Sequence, residues 1–201
     1  MKRKRQLLSF SEQEMIEMAF RQKFLSKEEQ SIWQEVYGDM KRHFDPHYYY
    51  VREQERGFVV LTLGKGVDRL QESYIEKEEY LKAYCVDCLG MEFLLKAYDD
   101  LKMEVKKKGE YIQQFLYPGE QLPIEAMREI FLRTNPKDVT YNESFFIDPK
   151  KSVAMEVILT KEKEKESCGI CEQCKNINCT SRKVRRELRG QNYGYQRIFK
   201  K

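Results

Sequence analysis

No stretch of this 201-residue chain approaches the ~20 consecutive apolar residues that a membrane helix needs, so no spanning segment is expected. The basic start Met1-Lys2-Arg3-Lys4-Arg5 is followed only by Gln6-Leu7-Leu8-Ser9-Phe10, too short for the apolar region of a secretory signal. A cytoplasmic protein is expected. Histidine is scarce: His43 and His47 are the only two. Their spacing would suit a metal on a helix, but Pro46 lies between them and should break that helix, and no Glu follows His43 where a zinc protease needs one. The chain has no Walker loop, no G-x-G-x-x-G and no G-x-S-x-G. A P-loop phosphate cradle, a dinucleotide fingerprint and a nucleophile elbow are therefore all without sequence support. Charge of one sign is also lacking, since a net +4 over this length does not by itself imply nucleic acid. There is no internal repeat, and no catalytic residue is assigned.

What is present can build a sizeable core: 41% hydrophobic residues, with 11 Phe and 13 Tyr, argue against global disorder. Ser11-Glu12-Gln13-Glu14 and Ser26-Lys27-Glu28-Glu29 each read as a capping box that opens a helix. The second helix should stop near Asp45-Pro46. Residues 47–63 are rich in β-formers, with a polar turn at Glu53 to Gly57, and Gly64-Lys65-Gly66 marks a strand-to-helix corner. A shorter helix then holds Val67, Leu70 and Tyr74. The longest helical stretch runs from about Lys77 to Lys108, and its apolar positions (Leu81, Tyr84, Cys85, Cys88, Leu89, Met91, Leu95, Tyr98, Leu101 and Val105) make a stripe wide enough for packing on more than one side. Tyr111 to Tyr117 is expected as a strand, Pro118 to Gln121 as a turn, and a helix starts near Pro123. Val139 to Ile147 and Val153 to Leu159 read as two further strands. Lys161 to Glu166 has nothing apolar to bury and reads as a solvated linker or an exposed helical bridge.

Beyond that linker, Cys168, Cys171, Cys174 and Cys179 are spaced C-x2-C-x2-C-x4-C. Four thiols so close in sequence converge on one site with little loop-closure cost, and thiolates are the ligands chosen by zinc and by iron–sulfur clusters. Three cysteines at every third residue are closer to a ferredoxin-type run than to paired zinc knuckles, although x4 and Thr180 depart from the ferredoxin ending. An iron–sulfur cluster is expected, with zinc as the alternative. Cys85 and Cys88 form another C-x2-C inside the long helix and are read as small core residues, with a redox pair or additional cluster ligands as the alternative. The basic stretch after Cys179, with Tyr193, Tyr195 and Phe199 interleaved, is read as a solvated helix and terminus. Its alternative is a zinc-ribbon-like module that uses the basic tail on nucleic acid.

Several segments follow one another in order: Val60-Leu61-Thr62-Leu63-Gly64-Lys65-Gly66-Val67-Asp68-Arg69, then Gly90-Met91-Glu92, then Tyr117-Pro118-Gly119 followed by Leu122-Pro123, then Asn142-Glu143-Ser144-Phe145 with Pro149 and Lys151-Ser152-Val153, and last the run Cys171 to Arg182. In this order they resemble the standalone activation domain of cobalamin-dependent methionine synthase, over residues 58–160 and the cysteine tail. The resemblance implies an α+β fold with a twisted antiparallel sheet, flanking helices and a long central helix, plus a small cysteine-rich C-terminal tail. On this reading, residues 1–46 form an N-terminal helical segment and 47–160 the activation-domain-like core. Residues 161–167 are a charged linker, and 168–201 are the four-cysteine tail.

The resemblance also implies S-adenosylmethionine as ligand, a corrinoid-binding methionine synthase or related methyltransferase as partner, and cobalamin met only through that partner. Neither a membrane nor nucleic acid is expected as a partner. By the same resemblance Gly119, Glu143, Ser144 and Phe145 are the candidates lining a ligand groove. The family's ligand loop resembles R-x-x-P-G-Y, but here Phe115 stands at the arginine position and Glu120 at the tyrosine position. The bidentate grip of an arginine on a carboxylate is therefore missing from this loop. Either another basic residue supplies it, or the site is weakened or lost.

Overall fold

The computed structural model describes residues 3–167 and Gly169. Both capping boxes form. Ser11 starts α1 (Glu12–Arg21): its hydroxyl accepts from the Glu14 amide at 3.2 Å, and its own amide donates to the Glu14 carboxylate at 2.7 Å. Ser26 and Glu29 repeat the arrangement at the start of α2 (Lys27–His43). Phe44 leaves α2 in an extended conformation two residues before Pro46, so the helix ends near Asp45-Pro46 as expected.

The chain then forms an antiparallel hairpin of β2 (His47–Glu53) and β3 (Arg56–Thr62). Next come α3 (Lys65–Glu76), the long α4 (Tyr80–Lys106), β4 (Tyr111–Leu116) and α5 (Ala126–Thr134). Two short rungs follow, β5 (Thr140–Tyr141) and β6 (Ile147–Asp148), and β7 (Ser152–Thr160) closes the sheet. The N-terminal residues Arg3–Arg5 add an edge strand, β1, that the sequence reading did not contain. All pairs are antiparallel, in the order β1-β2-β3-β7-β4.

The two central strands, β3 and β7, are covered on both faces. Along β3, Val59 and Leu61 enter a core with Trp33, Val36, Met40, Leu89 and Phe93, built by α1 to α4. Phe58 and Val60 alternate into a second core with Tyr49, Met127, Ile130, Val139 and Ala154, built by α5. A strand's side chains alternate between faces, so burial of both faces turns an alternating pattern into the continuous apolar run 58–61. Helix α4 buries Cys85, Leu89, Phe93, Ala97 and Leu101, whereas Leu81, Tyr84 and Met91 of the expected stripe lie on its exposed side. Cys85 and Cys88 are free thiols in the first core, and burial pushes Cys85 up to about 12. That environment holds them as thiols and matches the core reading.

Three of the segments singled out in the sequence meet at one corner. The Leu63 amide donates to the Lys151 carbonyl at 2.9 Å, the Ser152 hydroxyl to Thr62 Oγ1 at 2.7 Å, and the Lys150 amide to the buried Asp68 carboxylate at 2.8 Å. Lys151 runs its alkyl chain over Gly90, where an added Cβ would come within 2.9 Å of Cε, and its ammonium reaches Asp87 at 2.6 Å. Gly66 is tighter still, since any Cβ there would overlap the backbone carbonyl of His43.

Residues 139–147, expected as one strand, form the two short rungs with a loop between them. The 161–166 linker contains a single turn of 3-10 helix and folds back on the body. Glu166 pairs with Lys102 and Lys106, and the Ser167 amide donates to the Ile112 carbonyl on the outer edge of β4 at 2.9 Å.

Glycine requirements can be ranked from these contacts. Gly66→Ala is expected to cost about 2–4 kcal/mol of unfolding free energy, because a backbone segment must move. Gly38→Ala, in the interior of α2 with its nearest neighbour at 3.7 Å, should instead stabilise by about 0.5–1 kcal/mol. Urea unfolding of the two variants decides it, and equal effects would contradict the corner geometry.

Candidate functional site

The sequence candidates fall on the second face of the sheet, around the start of α5. Gly119 sits at φ +83° in a turn whose amides at 120, 121 and 122 all point to the Tyr117 carbonyl at 3.1 Å. Its own amide donates to the Leu122 carbonyl at 2.9 Å. An added Cβ would lie 3.3 Å from Ile124 Cδ1, so the turn is packed directly on the residue that leads into α5. Glu143, Ser144 and Phe145 lie in the loop 142–146. Asn142 organises that loop: its Oδ1 accepts from the amides of Ser144 and Phe146, both at 3.0 Å, while its backbone bonds Phe145 and Phe146 at 2.9 and 3.0 Å. This is the turn-mimicking use of an asparagine side chain.

The loop forces Phe145 to φ +62°. A bulky side chain in the left-handed region costs about 1–3 kcal/mol and persists only where the surroundings over-determine it. Here the result is that neighbouring phenylalanines diverge. Phe145 turns inward, half-buried and stacked on Tyr141 with ring centroids 5.8 Å apart and planes 10° apart, and Tyr141 is met edge-on by Phe131 at 4.7 Å. Phe146 points out, 73% exposed. Glu143 and Ser144 are exposed beside it.

One residue not singled out from the sequence joins the two clusters. Arg128 lies one helical turn after Ile124, and its guanidinium sits over the Phe145 ring at 5.5 Å. Arg128 thus joins the first turn of α5 to the 142–146 loop, while Ile124, just ahead of that helix, meets the Gly119 turn. Among the described arginines, Arg3, Arg5, Arg21, Arg42, Arg52, Arg56 and Arg133 all pair with carboxylates, while Arg69 and Arg128 do not. An exposed arginine on a helix carries no distinguishing mark in sequence, and only the aromatic shelf beneath it gives it a role.

Phe115 takes no part in this surface. It is 1% exposed and packs edge-on against Tyr98, with centroids 5.6 Å apart. Tyr98 is itself buried, and burial pushes its phenol up. A cation at position 115 would be sealed in the first core, so the arginine of the resembling loop has no equivalent there. Glu92, from the second resembling segment, also faces elsewhere: it is buried and reaches Arg21 of α1 at 3.1 Å, with its other oxygen unpartnered.

The two histidines do not meet. His43 Nδ1 lies 2.8 Å from the Asp39 carbonyl. His47, 1% exposed, places Nε2 3.1 Å from the Asp138 carboxylate, which also accepts from the Tyr49 hydroxyl at 2.8 Å. Its Nδ1 lies 2.7 Å from the Asp45 carbonyl and 3.0 Å from Arg3. It can donate to the one or accept from the other, but not both. Burial would raise the Asp138 carboxyl, but hydrogen bonds from Tyr49 and His47 and the charge of Arg3 outweigh it and hold the group low. This cluster ties β1, β2 and the loop after α5 together. Among the described residues no group of three or more His, Cys, Asp or Glu side chains is placed to hold a metal, and no helix is long and apolar enough to cross a membrane. The proposed metal ligands Cys168, Cys171, Cys174 and Cys179 lie outside the described residues.

No family model matches the chain, and no curated protein does. Among solved structures, the chain is similar to a crystal structure of the MetH reactivation domain bound to AdoHcy, at 12% identity and a TM-score of 0.48, over 75% of this chain and 70% of that one.

The strain at Phe145 can be measured. Phe145→Gly removes the left-handed penalty and the ring contacts together, so its unfolding free energy should stay within about 1 kcal/mol of the parent. Ile130→Ala, at a fully buried position of the same core, should lose about 2–5 kcal/mol. Chemical denaturation compares the two, and a loss at position 145 as large as at 130 would show that the ring is there for packing alone.

Proposed function

We propose that the chain is an accessory activation subunit for a cobalamin-dependent methionine synthase or a related corrinoid methyltransferase. It would support reductive remethylation with S-adenosylmethionine rather than act as a self-contained enzyme. In that reaction the partner's cob(II)alamin takes one electron from an external low-potential donor and then the methyl group of S-adenosylmethionine, which leaves as S-adenosylhomocysteine. The chain's part is to hold the sulfonium methyl in line with the partner's cobalt, a task of positioning.

The observation that carries the reading is how the resembling segments assemble. Residues 62–69, 90–92 and 149–153, far apart in sequence, interlock through Asp68, Lys151 and Gly90. The Gly119 turn and the Asn142–Phe146 loop then flank the first turn of α5. Segments that share an order in the sequence thus do joint structural work. Gly119, Glu143, Ser144 and Phe145 are assigned to the ligand surface. Cys168, Cys171, Cys174 and Cys179 are assigned as ligands of an iron–sulfur cluster, with zinc as the alternative, on the strength of their spacing.

The test is reconstitution. The full chain, purified without oxygen, is mixed with a methionine synthase that lacks its own activation domain and is trapped as cob(II)alamin. Spectroscopic return of methylcobalamin that needs the chain, S-adenosylmethionine and a low-potential reductant together is the expected result. No return under these conditions, with salt-sensitive RNA binding in its place, would overturn the reading. Stoichiometric zinc without iron in the same preparation would remove the cluster assignment.

A further inference from the structure

We propose that Arg128 anchors the carboxylate of the ligand's amino-acid end, taking over from another element the task that Phe115 cannot perform. This rests on the ligand surface proposed above and names the residue that sets its specificity. The requirement comes from ligand chemistry. The amino-acid end of S-adenosylmethionine carries a carboxylate, and the strong recognition of a carboxylate is a pair of parallel N–H donors from one guanidinium.

Three properties suit Arg128 to that task. Its charge is unspent: it makes no ion pair among the described residues, whereas its neighbour Arg133 is held by Glu53 and Glu129. Its plane is supported, because the Phe145 ring lies 5.5 Å below the guanidinium. An aromatic face beneath a guanidinium stabilises the cation and leaves the N–H edge open to an anion. Its position is central, one turn from Ile124, which touches Gly119, and directly over the 142–146 loop.

The strained backbone of Phe145 fits the same account. Without φ +62° the ring would not lie under Arg128, and Asn142 spends two side-chain hydrogen bonds to hold it there. The same ring also stacks on Tyr141 at the second core, so it is held from below while the guanidinium lies over it.

Titration calorimetry with two probes tests the assignment. S-adenosylmethionine carries the carboxylate, and decarboxylated S-adenosylmethionine lacks it. The full chain should bind the first about 10- to 100-fold more tightly, the range for hydrogen bonds to a charged group. Arg128→Gln should weaken S-adenosylmethionine by that factor and leave the decarboxylated probe unchanged or slightly tighter, since a repulsive charge is removed. Arg128→Lys should fall between, as it restores charge but not the fork. Arg128 is exposed, so the thermal midpoints of both variants should match the parent. If S-adenosylmethionine binds the parent but Arg128→Gln leaves it unchanged, or weakens both probes equally, this assignment is wrong while the proposed function stands. If neither probe binds the parent chain, both are wrong.

Discussion

Burial of the β3–β7 pair on both faces is the constraint on which everything else depends. The α1–α4 layer covers one face and carries most of the large core residues, Trp33 and Phe93 among them. That alone would leave Tyr49, Phe58, Val60 and Ala154 facing water. Helix α5 exists to cover them, through Met127 and Ile130. Once α5 is pinned there, its first turn must lie beside the chain that enters it, at the Gly119 turn, and beside the chain that returns to β7, at the 142–146 loop. The candidate site is therefore a consequence of closing the second core.

The electrostatics of the molecule sharpen the position of that site. Many ion pairs join residues far apart in sequence, as Arg56 with Glu156 and Arg3 with Asp45 and Asp138. The Arg3 and Asp138 links hold the short β1 strand and the loop after α5 to the sheet. Against that background a guanidinium resting on an aromatic ring, with no ion pair among the described residues, stands out. A strained phenylalanine supports it, and an asparagine that satisfies two backbone amides supports the phenylalanine. Order in this loop comes from hydrogen bonding rather than from apolar burial, which is why exposed residues there hold a fixed geometry.

Much of the architecture was legible. Both capping boxes, the β2–β3 hairpin, the glycine corner at 64–66, the long α4 and the strand at 152–160 follow from local patterns that the tertiary structure does not override. The α+β class with an antiparallel sheet holds. Strand β1 was not legible, because Arg3-Lys4-Arg5 is exposed throughout and carries no alternation; it pairs through its backbone and its ion pairs. Residues 139–147 read as a strand because Val139, Tyr141, Phe145 and Ile147 have the right composition, but the Asn142 side chain competes for the backbone and bends it away. Leu81, Tyr84 and Met91 matched the helical stripe but lie on its outer side, since a stripe that wide does not reveal which flank is covered. Of the candidate site, the Gly119 turn and the 143–145 segment are singled out by resemblance. Arg128 is not, because its significance is a contact across 17 residues of sequence (128 to 145) that no local pattern encodes.

The most direct test of the central claim is amide hydrogen exchange on the full chain with and without S-adenosylmethionine. Added protection at residues 117–128 and 141–146, with the first core unchanged, is what a ligand surface across the first turn of α5 predicts. Protection confined to other segments, or to the cysteine run at 168–179, would contradict it.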